Sequence, residues 1–238
     1  MYKMVIYDTP LSRHIEKHTC GRPAKHRGKK KKATPEAIQR NNERRAARKL
    51  NLKICTNFLP GDYHLVLTYK REMRLPAEAA KKELARFFRG LREDYRKAGH
   101  ELKYIATTEY KSVAIHHHVI LNRIPGGEEM VRRRWGRGRP RFTQLDDTGD
   151  YIQLAEYFLK ETKRSREKGE RKGQQAYTCS RNLVMPKKKE RRIRAKDFRQ
   201  PRIPDGYEML KGSFEDYITP TGYRHQYYTL IKTRRMRN

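Results

Sequence analysis

Between Glu101 and Asn122 the chain reads ELKYIATTEYKSVAIHHHVILN, two runs of strand-forming residues joined by a very short link. Such a pair closes most simply as an antiparallel hairpin. The apolar face of a hairpin has to be buried against another layer, and the preceding residues supply one. After Pro76, in AEAAKKELARFFRGLREDYRKAG, Leu84, Phe87, Phe88, Leu91 and Tyr95 fall on one stripe at helical spacing, with Gly99 as the stop. A Pro60–Gly61 turn introduces an earlier strand from Tyr63 to Lys70. Beyond the hairpin come a shorter helix in GGEEMVRRRW, a strand in GRPRFTQLD and a last helix in DYIQLAEYFLKETKRSR. The expected fold class is α+β, an antiparallel sheet with helices packed on it, over residues 60–165.

The flanks differ in composition. Residues 1–59 read as a basic N-terminal extension with one helix from Pro35 to about Leu50, where Thr34 is the N-cap and proline takes the first helical position. Residues 166–238 read as a basic C-terminal extension, in which KKKERRIRAK is too charged for a core. Its last part, GYEMLKGSFEDYITPTGYRHQYYTLIKT, regains aromatics and is expected to fold back onto the core. There is no internal repeat.

Against 27 acidic residues stand 58 Lys and Arg, a formal net charge of +31 that calls for a polyanionic partner. Nucleic acid is favoured over a membrane, because no apolar stretch approaches the roughly 20 residues that span a bilayer and no signal-peptide pattern opens the chain. The three cysteines, Cys20, Cys55 and Cys179, are scattered, which fits a reducing, cytoplasmic compartment. Charge alone does not separate a nucleic-acid-binding protein from an enzyme.

The histidines of AIHHHVIL are the first chemical candidates. Side chains alternate along a strand, so His116 and His118 share one face while His117 points away with Ile115 and Val119. Two imidazoles two residues apart can converge on one divalent cation, although such a pair also occurs as polar residues of a solvated face or as core histidines bonded to backbone. A hairpin turning near Lys111 to Val113 would bring the carboxylate of Glu109 to the pair, with Gln153 and Glu161 of the last helix as rivals for a third ligand. Two imidazoles and one carboxylate with open positions suit Mg²⁺ or Mn²⁺ better than a closed structural zinc site. A second cluster, His14, His18, Cys20 and His26, lacks the paired spacing of zinc sites and reads as part of a basic arm.

On the last helix Leu154, Ala155, Phe158 and Leu159 supply the buried face, and Tyr157 and Lys160 are neighbours on another. At this spacing the pair is ordinarily an amphipathic rim. A phenol of pKa about 10 becomes a useful nucleophile only beside a cation or metal that favours its phenolate; Lys160 is placed to lower that pKa or to hold a phosphate.

LVLTY on a first strand, EYKSVAIHHHVIL on a hairpin and YFLK on a following helix, in that order, resemble the HUH endonucleases, most closely the rolling-circle replication initiation proteins of plasmids, phages and integrative elements. Their hallmark is His-hydrophobic-His followed by Tyr-x-x-Lys; here the middle position is His117, and a pair made by His117 with a neighbour is the lesser alternative. The resemblance runs from about Asp62 to Thr162, and CSRNLVMP, Cys179 to Pro186, is similar to a segment that follows the core in such initiators.

The resemblance implies a ferredoxin-like core and metal-assisted transesterification on single-stranded DNA or an origin hairpin, with host helicase and polymerase as further partners. The metal, Mg²⁺ or Mn²⁺, would be held by His116, His118 and Glu109, and Tyr157, assisted by Lys160, would form a 5′-phosphotyrosine link. Gln153 stands four residues before Tyr157 and Glu161 four after it, so this is a single-tyrosine arrangement. A relaxase or single-tyrosine transposase would use the same chemistry. A nonenzymatic nucleic-acid-binding protein would instead bind without cutting, and its histidines would be structural.

Overall fold

The computed structural model describes residues 2–19, 33–110, 115–167, 176–199, 201–220 and 222–233. The chain divides into two compact units, one formed by Met1–Thr56, Thr148–Ile152 and Val184–Asn238, the other by Asn57–Asp147 and Gln153–Leu183. The fold is α+β, with antiparallel sheets and packed helices. Among the described residues no helix is long and apolar enough to cross a membrane.

In chain order the strands are β1 (Tyr2–Asp8), β2 (Ser12–Thr19), β3 (Tyr63–Leu67), β4 (Tyr104–Tyr110), β5 (Ile115–Leu121), β6 (Arg141–Gln144), β7 (Thr178–Cys179), β8 (Lys188–Ile193), β9 (Tyr207–Met209), β10 (Glu215–Ile218) and β11 (Arg224–Lys232). The α-helices are α1 (Pro35–Asn57), α2 (Ala77–Lys97), α3 (Gly127–Arg134), α4 (Ile152–Glu167) and α5 (Ala195–Arg199).

The second unit holds the sheet β6-β3-β5-β4-β7, with every neighbouring pair antiparallel. The order of elements β3-α2-β4-β5-α3-β6, with β5 inserted between β3 and β4, is the split βαβ arrangement of ferredoxin-like domains. Its core is the face carrying Leu65, Leu67, Ala106, Val119 and Leu121, covered by the stripe Leu84, Phe87, Phe88, Leu91 and Tyr95 of α2. That stripe is the one the helical period predicts, and the backbone of Gly99, at φ +76°, ends the helix in a conformation that costs other residues more. Trp135 closes the end of this core, donating its indole N–H to the Thr68 carbonyl over 2.9 Å. β7, which begins the CSRNLVMP segment, pairs with β4, and Ser180 donates its backbone N–H to Tyr104.

The first unit is where the sequence expectation and the structure part. Residues of both flanks form one sheet, β10-β11-β2-β1-β8, with β9 also paired to β11. The basic arm before Thr19 is a β1–β2 hairpin, the charged KKERRI run is strand β8 alongside β1, and the aromatic last segment pairs with β2 through β11. Backbone hydrogen bonds build a sheet without asking for apolar side chains, so a strand such as β8 can keep Lys188, Lys189, Arg191 and Arg192 in solvent while its main chain is paired. Met4, Ile15, Tyr228 and Leu230 form the apolar cluster on one face. Against the other face lies α1, through Arg44, Arg48 and Asn51. Thr34 caps α1 as expected, its hydroxyl accepting the Ala37 N–H over 3.2 Å, but the helix runs on to Asn57.

Candidate functional site

Register decides which side chains meet. On β4 and β5, Glu109 lies opposite His116 and Thr107 opposite His118, so Glu109, His116 and His118 share a face, and His64 of β3 is on that face too. This is the face turned away from α2. Phe158 and Tyr157 of α4 meet it: the Phe158 ring packs against His64 and His118, and the Tyr157 ring stands edge-on to His118 with centroids 4.9 Å apart.

Polar atoms of three elements converge there. The Tyr157 hydroxyl is 2.9 Å from His118 Nε2 and 3.4 Å from Glu109 Oε2, and these two acceptors are 3.3 Å from each other. Glu109 and His118 are buried, Tyr157 partly so, which leaves the phenol as the member nearest to solvent. On the other side of the His118 ring, Nδ1 is 3.3 Å from His64 Nε2, and the two rings stack. Burial pushes the His64 imidazole down to about 4, and the neighbouring His118 acts in the same direction. A neutral His64 can accept the Nδ1–H of His118, which turns the Nε2 lone pair of His118 toward Glu109 and Tyr157. Sequence reasoning misses His64. Its signal is a histidine at the inward-alternating position of HLVLTY, but only the pairing of β3 with β5 makes it a neighbour of His118.

His117 belongs to the opposite face. It is fully buried, with Nε2 2.8 Å from the Tyr69 hydroxyl and Nδ1 2.9 Å from the Thr108 hydroxyl, and its ring lies edge-on to Trp135. Both nitrogens are engaged within the core under α2, so the alternative in which His117 pairs with a neighbour as a metal ligand does not hold. Of the remaining candidates, Lys160 is exposed one turn beyond Tyr157, Gln153 is also exposed, and the side chain of Glu161 lies outside the described residues.

The donor set suits a divalent cation. One imidazole with a fixed tautomer, one buried carboxylate in contact with it, and a second imidazole directly across the ladder from that carboxylate give two nitrogens and one oxygen, a combination open enough for water or phosphate oxygens. His118 and Glu109 are brought together directly, and His116 is placed by register on the same face.

In the first unit, His14 and His18 diverge. His14 is fully buried in a network with Ser12, Tyr227 and Thr229, while His18 sits beside His225; Cys20 and His26 lie outside the described residues. No curated protein and no solved structure matches the chain. Residues 62–162, which carry the split βαβ core and the contact between His118, Glu109 and Tyr157, match the family model of the replication-associated proteins of the ORF2 and gene 2 protein type, so this segment belongs to that replication-associated family, which supports a role in initiating rolling-circle DNA replication.

Proposed function

We propose that the protein starts replication by nicking and rejoining single-stranded DNA through transesterification, with Tyr157 as nucleophile. The observation that carries this reading is the contact of the Tyr157 hydroxyl with both His118 and Glu109, residues 39 and 48 positions away in sequence. A phenol gains nothing for stability from being held at the rim of a buried imidazole–carboxylate pair that an apolar ring would not supply. It does gain reactivity, since its proton is already directed at two acceptors.

His116, His118 and Glu109 would hold Mg²⁺ or Mn²⁺, with His64 fixing His118 from behind. When bound, the cation would polarise the scissile phosphate and favour the phenolate. The phenol oxygen attacks phosphorus as its proton passes to a base of the site. The bond from phosphorus to the 3′ oxygen breaks, that oxygen takes up a proton, and the products are a 5′-phosphotyrosine link and a free 3′-hydroxyl end. One phosphodiester replaces another, so the reverse reaction rejoins DNA without ATP. Exposed Lys160, one turn along α4, is placed to meet a phosphate of the same strand. The DNA substrate would be the element's single-stranded origin or an origin hairpin, with the free 3′ end passed to host polymerase and helicase.

The test is labelled single-stranded DNA bearing the element's origin, incubated with Mn²⁺ or with EDTA and resolved on a denaturing gel. The expected result is a metal-dependent cut with protein on the 5′ side of the break, absent from Tyr157→Phe. An adduct undiminished in that variant would remove Tyr157 from the mechanism. Tight binding without a cut under any metal would favour a nonenzymatic DNA-binding protein.

A further inference from the structure

A second cluster of metal-ligating side chains lies in the first unit, in the sheet built from the two flanks of the chain. Glu16 and His18 stand two residues apart on one face of β2, and β11 places His225 directly opposite His18. One ligand atom from each of the three lies within 4.8 Å of the others. The Glu16 carboxylate accepts a 2.6 Å bond from His225 Nε2, and the two imidazoles stack with an interplanar angle of 11°.

An ion pair alone leaves this arrangement incomplete. The Nδ1 atoms of both His18 and His225 are buried without a hydrogen-bond partner among the described residues, and His225 is only 8 % exposed. A buried polar atom left unpaired is costly, and two imidazoles with free nitrogens facing one carboxylate are a demand for either a proton donor or a metal. Burial lowers the pKa of His18 and so favours the neutral, ligating form.

The cations around the cluster are already matched. Lys3 and Lys188 both pair with Glu190, and Arg48 bonds Glu215 at 2.9 Å and the Tyr217 hydroxyl at 3.1 Å. Ligands of a tetrahedral ion at about 2.0–2.1 Å stand roughly 3.3 Å apart, so closing from 4.8 Å takes only small side-chain rotations. The Glu16 side chain is 30 % exposed, which leaves an entry path and room for a water as fourth ligand.

We propose that Glu16, His18 and His225 form a binding site for a zinc-class divalent cation that ties β2 to β11. Two imidazoles and one carboxylate select Zn²⁺ or Co²⁺ over Mg²⁺, which prefers all-oxygen surroundings. The ion cross-links strands whose sequence positions differ by about two hundred residues, and so holds the N-terminal hairpin to the C-terminal strand.

The experiment uses the full chain with His116→Ala and His118→Ala, so that the proposed catalytic centre cannot contribute. Zinc retained after dialysis is measured, and Co²⁺ is added to read the absorption band of tetrahedral coordination. The expected result is one equivalent of Zn²⁺ and a tetrahedral Co²⁺ spectrum. Both should be lost on adding His225→Gln and, independently, Glu16→Gln, with affinity falling by more than the 10- to 100-fold that outer-sphere partners alone are worth. Glu16 is partly exposed, so its variant serves even if His225→Gln does not fold. No retained Zn²⁺ in the parent, an octahedral Co²⁺ spectrum, or retention that survives either substitution in folded protein would overturn the site.

Discussion

Replacing His117 with leucine separates the core histidine from its neighbour on the other face. The side chains have similar volume, so the change removes hydrogen bonds more than packing. Two bonds are lost inside the core, 2.8 Å to Tyr69 and 2.9 Å to Thr108, and both hydroxyl-bearing residues are themselves 7 % exposed. A net hydrogen bond is worth about 1 kcal/mol, and a buried partner deprived of one costs about 1–3 kcal/mol. The expected loss is therefore about 2–4 kcal/mol.

Trp135, the single tryptophan of the chain, lies edge-on to His117 at 5.6 Å between centroids, so its fluorescence reports unfolding of this unit alone. With a urea slope of about 2 kcal/mol/M, the midpoint should fall by about 1–2 M. Under conditions where the variant is folded, Mn²⁺-dependent nicking should persist. His118→Leu should show the reverse, with nicking abolished and a smaller shift in midpoint. Nicking lost in His117→Leu at an unchanged midpoint would refute the division of labour between the two faces of β5.

Other outcomes follow from the same structure. A Cβ on Gly138 would overlap the carbonyl oxygen of Thr68, which also accepts the Trp135 indole bond; Gly138→Ala should cost about 1–3 kcal/mol, read as a lowered midpoint in the Trp135 transition. Burial pushes His14 down to about 4 against the opposing pull of Asp150, whereas an unfolded histidine titrates near 6.5. The unfolded state thus takes up the proton first, and stability of the first unit, full above about pH 6.5, should decline by roughly 3 kcal/mol as pH falls to about 4. Hydrogen exchange of β11 amides across that range checks it, and His14→Asn should flatten the profile. If about 6–10 of the cations meet phosphates, affinity for single-stranded DNA should fall by about 10³- to 10⁵-fold between 50 and 200 mM salt; a flat dependence in a fluorescence anisotropy titration would exclude a mainly electrostatic interface.

The sequence by itself determined the elements whose pattern is local. The period of α2, the alternation in VAIHHHVIL and the short link before it are properties of neighbouring residues, and they suffice for a hairpin under an amphipathic helix, for His116 and His118 on one face, and for Glu109 beside them. Tyr157 is legible as a candidate because its place in YFLK follows that strand in a recognisable order.

Pairing between distant segments was decided only by the tertiary structure. Strand order is set by which backbone edges meet, and no side-chain period records it, so the insertion of β5 between β3 and β4, and with it His64 behind His118, could not be read from the chain. The same holds for the flanks. Their charge says that the side chains face water and nothing of their backbone partners, and so two apparent basic tails are one sheet in which β11 brings His225 to Glu16 and His18.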